Sequence, residues 1–261
     1  MTEEHRTPTL RSCIVASSCY TFLSLDAAQI ELKVAAFLSQ DPALIQDATS
    51  SDMHLATALR IFADKIEEEQ IQPGTEQMKN LRYQAKQINF AILYGAEAYK
   101  IAEMSDGALT EDEAEELITR YFLAYPVLKH YMDTRLAQAK LDGYVVNQFE
   151  RIRHLPELKS SIYKIRQKAE REVFNTLVQG TAVDLVKLCM LHLRSRLDKS
   201  VRMVLQVHDE ILFEVPDTLL RQAIIISKEL AVVMPLYPFH VSVGKCYGEL
   251  HEMTQEELNG Y

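Results

Sequence analysis

Two β-rich runs, VRMVLQV (residues 201–207) and EILFEV (residues 210–215), are separated by only His208 and Asp209. A gap of two residues commits them to an antiparallel hairpin, because parallel neighbours need a crossover of about a dozen residues or more. The turn contains neither Gly nor Asn, the residues that accept the backbone of a tight hairpin at least cost. A bend made of His and Asp breaks local turn chemistry, and such violations mark functional or strained sites. Elsewhere the hydrophobic pattern is mainly helical. The chain has only 8 Gly and 8 Pro in 261 residues, which favours long helices over a many-stranded sandwich. Long helices between an early strand and a late hairpin make the expected fold class α+β, with a helical insertion.

The early run CYTFLSL (residues 19–25) reads as a buried strand, followed by Asp26 and a helix with apolar positions at Ile30, Val34, Phe37 and Leu38. Asp26 thus falls where strand gives way to helix. Pro73-Gly74 breaks the chain, and Thr75 is placed to cap a long helix reaching about Tyr94. Thr110 and Glu113 form a capping box that opens a helix ending near Tyr125, before Pro126. Further helices are expected over residues 162–192 and 217–233, and FHVSVG (residues 239–244) is the last strand. No repeat or low-complexity segment interrupts this order.

Three features carry possible chemistry. On the helix LRYQAKQINFAILYG, Arg82, Lys86, Phe90 and Tyr94 recur every four residues, opposite a core-facing stripe of Leu81, Ala85, Ile88 and Ile92. Two cations followed by two aromatic rings suit a nucleoside triphosphate, although an ordinary amphipathic helix whose aromatics cap the core has the same pattern. Asp26 and Asp209 both stand at strand ends with apolar strands behind them. Such a pair can hold two Mg²⁺ ions, while either Asp alone is more simply a turn or cap residue. Residues 149–171 hold seven basic and three acidic side chains, whereas residues 103–116 hold seven acidic ones and no basic one. The basic stretch can follow a phosphate backbone or form a solvated helix face.

Composition narrows the classes further. A formal charge of −9 argues against a surface coated with nucleic-acid-binding charge and leaves room for a basic cleft. The longest apolar runs near the C-terminus, residues 223–226 and 230–234, fall far short of a membrane span, and no membrane partner is expected. The opening MTEEHRTPTLRS has no apolar core of a signal peptide. Cys13, Cys19, Cys189 and Cys246 lack metal-site spacing and disulfide density, so reduced, mostly buried thiols are expected. The expected location is the cytoplasm, an organelle matrix or a phage-infected cell.

At these segments the chain resembles the family A DNA polymerases. SLDAAQIELKVAA is similar to their motif A, DYSQIELR; LRYQAKQINFAILYG to motif B, RxxxKxxxFxxxYG; LQVHDEILFEV to motif C, VHDE. FNTLVQGTAVDLVK, with Gln179 and Gly180, resembles the segment between motifs B and C, and the likeness extends from about Arg6 to about Met253.

The resemblance implies a polymerase palm around a small antiparallel sheet, with helical fingers inserted. The palm would comprise residues 1–50 and 166–261 and the fingers residues 51–165. Asp26 and Asp209 would be the catalytic, metal-binding carboxylates for two Mg²⁺ ions, with the Ala27 carbonyl as a further ligand. Glu31 would exclude a ribose 2′-hydroxyl, and Gln29 would tie together the polar network of the site. Arg82, Lys86 and His54 would hold the triphosphate, Phe90 would pack on the sugar, and Tyr94 would stack near the template. His208 would meet the primer end, Arg171 and Gln179 would touch the duplex minor groove, and Glu210 would be peripheral. Partners would be primer-template DNA and deoxynucleoside triphosphates.

The chain also departs from the family pattern. Ala27-Ala28 replaces Tyr-Ser in motif A, Tyr83 and Ala91 stand where Arg and Gly are common, and Glu150 takes the place of a usual Gly in FERIRHLP. Only 25 residues precede Asp26, so the expectation is a palm and fingers with the thumb absent, as part of a larger or split polymerase with a thumb-bearing polypeptide as a possible partner. Two other readings stand beside it. One is a catalytically incomplete nucleic-acid-binding subunit or remnant; the other is a metal-dependent nuclease, in which the stripe from Arg82 to Tyr94 has no purpose.

Overall fold

The computed structural model describes residues 9–27, 29–105, 107, 109–230 and 239–260. Arg6, Ala28, Asp106, Val233 and the rest of the apolar run at 231–234 lie outside the described residues. The strands are β1 (Tyr20–Ala27), β2 (Tyr144–Val146), β3 (Ile152–His154), β4 (Arg202–Val207), β5 (Glu210–Pro216), β6 (Phe239–Gly244) and β7 (His251–Glu252). The helices are α1 (Ile30–Ser39), α2 (Pro42–Ala48), α3 (Met53–Ile61), α4 (Ala63–Glu68), α5 (Glu76–Leu93), α6 (Ala98–Met104), α7 (Glu111–Ala124), α8 (Pro126–Asp142), α9 (Tyr163–Arg196), α10 (Leu220–Lys228) and α11 (Gln255–Asn259). They form two compact units, one of Met1–Ile30 with Val183–Tyr261 and one of Glu31–Ala182.

The first unit is built on a sheet of order β4-β5-β1-β6-β7, in which every neighbouring pair is antiparallel. Strand β1 lies between β5 and β6 and is covered on both faces, so residues 21–25, Thr21 and Ser24 included, are all buried rather than alternately so. Phe22, Leu212 and Tyr247 form a core on one face. The hairpin of β4 and β5 turns at His208 and Asp209, with Val207 opposite Glu210. His208 has φ +54°, the left-handed conformation that Gly or Asn would take more cheaply.

The second unit is helical. Its core includes Ala139, Val145, Leu155, Leu158, Ala169, Val173 and Leu177, with Leu38 packed against it. Buried Asp41 ties two helix starts together: one carboxylate oxygen accepts the N–H groups of Ala43 and Leu44 on α2, both at 3.0 Å. The other accepts those of Val127 and Leu128 on α8, at 2.9 and 3.1 Å. These contacts bring the segment after residue 30 into the helical unit, and the compact units divide at residues 30 and 182. Thr75 caps α5, and Thr110 with Glu113 forms the complete capping box of α7. Pro126 opens α8, where a missing N–H costs nothing.

Several elements differ from the sequence expectation. The stretch FERIRHLP is partly strand: β3 pairs with β2, and Glu150 turns between them at φ +60°. The Asn147 side-chain oxygen accepts the N–H groups of Phe149 and Arg151 at 2.9 and 3.0 Å, which fixes that turn. The expected helix from Asp217 begins as a 3₁₀ turn before α10. None of the cysteines is in a disulfide, but the expectation of mostly buried thiols is corrected: Cys13 and Cys19 are exposed and Cys189 is buried. Among the described residues, α9 is the one helix long and apolar enough to cross a membrane by length and composition. Its Ala169, Val173 and Leu177 are used in the helical core.

Candidate active site

In the sheet unit, β1 and β5 place Asp26 opposite Glu210, and the Ala27 N–H donates to the Asp209 carbonyl at 3.2 Å. Asp26 therefore ends its strand beside the hairpin tip that carries Asp209. Burial, followed by the charges of Asp209 and Glu210, raises the Asp26 carboxyl above its ordinary range, while His240 opposes the shift. Burial also raises Asp209, outweighing a backbone hydrogen bond and the influence of His208. Negative charge at this strand end is thus incompletely compensated by the protein.

Glu210 is differently placed. Its carboxylate accepts the Ser24 hydroxyl and the Tyr247 hydroxyl, each at 2.6 Å, and Arg11 lies 3.6 Å away. Burial and the Glu210 hydrogen bond push the Tyr247 phenol up to about 12. Glu210 is thus engaged by side chains of its own unit. His208 is exposed, and the Ala27 side chain is buried. Gln29 takes φ +55°, and its side chain has no hydrogen-bond partner among the described residues.

No group of three or more His, Cys, Asp or Glu side chains suited to a metal occurs among the described residues. The Asp26 and Asp209 pair nevertheless fits Mg²⁺, which commonly takes one or two protein carboxylates and completes its shell with water and substrate phosphates. Two neighbouring carboxylates raised by burial and like charge are suitable donors for such a cation.

In the helical unit, α5 carries the expected stripe. Leu81, Ala85, Ile88 and Ile92 are buried, whereas Arg82 and Phe90 are half-buried and Lys86 and Tyr94 are exposed. Arg82 donates to Asp52 at 2.6 Å. Although desolvation works upward on Asp52, Arg82 and the Leu55 N–H hold its carboxyl below the usual range. Lys86 makes no hydrogen bond or ion pair among the described residues. His54 is buried, with its ring 5.8 Å from that of Phe90. Burial and the charge of Arg82, with a smaller contribution from Lys86, push His54 down to about 4 against the pull of Asp52.

The Tyr94 hydroxyl donates to Glu31 at 3.0 Å, joining two residues that the sequence places 63 positions apart. Gly95 follows with φ +63°, and a Cβ there would lie 2.9 Å from the Arg171 Cγ. Glycine is therefore required both by conformation and by the approach of α9. Arg171 donates to Glu97 at 3.0 Å and, with Phe90, Tyr94 and Tyr99, lines a cavity of about 420 Å³. Gln179 is exposed farther along α9. The basic stretch is less positive in space than in sequence, because Glu172, just outside it, pairs with Arg153 at 2.6 Å and Lys168 at 3.9 Å.

Sequence reasoning missed Asp52, Thr57, Asn89 and Tyr121, which surround His54 and Arg82. The available signal was Asn89, an amide on the otherwise apolar inner face of α5, since a buried amide requires partners.

A sheet with two acids at one end, joined in sequence to helices bearing a cationic and aromatic stripe, has the organisation of a nucleotide polymerase core. DNA polymerase family A matches residues 1–246, and the chain belongs to that family. It is 37% identical over 239 residues to the thermostable DNA polymerase I of Thermus thermophilus, covering 90% of this chain and 28% of that relative. It is 38% identical over 201 residues to DNA polymerase I of Geobacillus stearothermophilus, covering 76% of this chain and 22% of that relative. The chain thus spans about a quarter of the length of these relatives. Among solved structures it is similar to the POL domain of Pol1 from M. smegmatis, in complex with DNA primer-template and dNTP. That likeness has a TM-score of 0.79 and 30% identity, and covers 91% of this chain and 42% of the other.

Proposed function

We propose that this chain performs template-directed DNA synthesis, adding deoxynucleotides to a primer 3′-hydroxyl. The observation that carries this reading is the pairing of the strand-end Asp26 with the hairpin-tip Asp209, linked by the 3.2 Å backbone hydrogen bond from Ala27. In this reading residues 1–50 and 166–261 are the palm and residues 51–165 the fingers. Asp26 and Asp209, with the Ala27 carbonyl, hold two Mg²⁺ ions. Bound Mg²⁺ supplies activation of the attacking oxygen and charge stabilisation at the leaving phosphate.

The chain's own groups bind and orient the reactants. Lys86 and Arg82 attract the triphosphate, Arg82 exchanging its Asp52 partner for phosphate, and His54 adds a hydrogen bond. Phe90 packs on the sugar, and Glu31, held by Tyr94, closes the space a 2′-hydroxyl would need. Tyr94 meets the template position, Gln29 serves the local polar network, His208 faces the primer end, and Arg171 and Gln179 contact the duplex. The proposed place of action is the cytoplasm, an organelle matrix or a phage-infected cell.

A second reading, a nucleic-acid-binding subunit that needs a partner chain for activity, is favoured by the acidic partners of Arg153, Lys168 and Arg171. Cations already paired with carboxylates make fewer phosphate contacts and give a weaker hold on DNA. The test is primer extension with Mg²⁺ and a DNA trap, alongside a nuclease assay. Short, salt-sensitive products restricted to the complementary nucleotide, lengthened by a thumb-bearing polypeptide, are expected. Extension only with that partner favours the subunit reading, while release of nucleotides without extension contradicts both.

A further inference from the structure

Buried Asn89 sits on α5 immediately before Phe90. Its Nδ2 donates to Thr57 Oγ1 at 3.0 Å and lies 3.2 Å from His54 Nδ1, while its Oδ1 accepts the Tyr121 hydroxyl at 3.1 Å. Thr57 and Tyr121 are fully buried, so water does not substitute for these partners.

The proton positions follow from the ends of this cluster. Thr57 has one hydroxyl proton and donates it to the Met53 carbonyl at 2.9 Å, so toward Asn89 its oxygen accepts. The amide must therefore present an N–H to Thr57, and its second N–H faces His54. Tyr125 does not reverse this order, because its proton goes to Asp47 at 2.6 Å, and Arg60 holds Asp47 through two bonds of 2.8 Å. His54 Nδ1 consequently accepts, and the ring proton resides on Nε2.

We propose that Asn89 is a positioning residue for the nucleotide: with Thr57 and Tyr121 it holds His54 as a neutral imidazole whose single N–H donor, on Nε2, is offered to a triphosphate oxygen. This rests on the assignment of His54 to the triphosphate. A neutral donor adds direction without placing a third cation beside Arg82 and Lys86. The low pKa of His54, set by burial and by Arg82 and Lys86 against Asp52, agrees with the same state.

The test uses the full chain with ¹⁵N-labelled histidine, the His54 signals being identified by their loss in His54→Gln. At neutral pH the wild type is expected to carry its proton on Nε2, and a proton on Nδ1 would overturn the proposal. Titration with a deoxynucleoside triphosphate should shift the His54 Nε2 signal; no shift at saturating nucleotide would also overturn it. Asn89→Asp keeps the shape but replaces the donor with an acceptor. It should move the His54 proton to Nδ1 and raise the nucleotide KM about tenfold, with kcat within about threefold. A moved proton with an unchanged KM refutes the positioning role.

If Asn89→Asp does not fold, Thr57→Val removes the acceptor that orients the amide. It should give a mixture of His54 tautomers and a smaller loss of nucleotide affinity; a single Nε2 tautomer with unchanged affinity overturns the proposal. A wild type that binds nucleotide through His54 but adds none contradicts the polymerase reading alone.

Discussion

The acidic end of the sheet and the polar interior of the helical unit handle burial in opposite ways. Around Asn89, the amide and hydroxyl protons have acceptors, and the cluster ends on a backbone carbonyl and the Arg60–Asp47 pair. At the sheet end, burial raises both Asp26 and Asp209, and the charges of Asp209 and Glu210 raise Asp26 further, while Ser24, Tyr247 and Arg11 are gathered around Glu210. The amide and hydroxyl protons of the helical cluster are satisfied within the protein; the carboxylate pair is completed only by something that brings positive charge. That contrast marks the proposed reactive carboxylates more clearly than burial does, because both regions contain partly or wholly buried polar groups.

The largest effect should come from removing charge at the sheet end. Asp26→Asn or Asp209→Asn should lower nucleotide incorporation at least about a hundredfold, read by single-turnover primer extension. Next is Lys86→Ala, which removes a cation without a protein partner among the described residues and should lower kcat/KM for nucleotide about ten- to hundredfold. Unchanged nucleotide dependence would return α5 to an ordinary amphipathic helix.

Acid should act on the helical cluster through His54. Its folded pKa, about 4, lies below the ordinary 6.5, so between these values the unfolded chain binds the proton first. Stability present above pH 6.5 is therefore lost as pH falls toward 4, by at most about 3 kcal/mol from this residue. Urea midpoints across that range should fall more steeply in the wild type than in His54→Gln. The smallest effect is away from both regions: Glu150→Gly should gain about 0.5 kcal/mol, as relief of a left-handed Glu exceeds the entropy cost of Gly. A loss of stability there would mean that the Glu150 side chain has a structural role beyond the turn.

The carboxylates and the α5 stripe were legible because strand ends, two-residue turns and helical spacing are local properties. The hairpin with His208 at φ +54°, the Thr75 cap and the Thr110–Glu113 box all depend on neighbours in sequence. Asp52 with Arg82 and Glu31 with Tyr94 were not legible, because their partners are 30 and 63 residues apart. Helix α3 supplies Asp52 as its cap and His54 and Thr57 on its buried face, yet it lacked the strong punctuation that marked α5. The basic stretch is less positive in space than in sequence, because Glu172 lies one residue beyond it and Glu97 comes from another element.

The most direct test of the account measures Asp26→Asn and Asp209→Asn twice at neutral pH, once for incorporation and once for unfolding midpoint in urea without Mg²⁺. A raised folded pKa means that ionisation costs folding stability, and this cost grows as pH rises through the folded value. The account predicts that each variant loses incorporation while its midpoint stays equal to or rises above that of the wild type, because the uncompensated charge serves the reaction rather than the fold. Retained incorporation, or a midpoint clearly below that of the wild type in both variants, would contradict it.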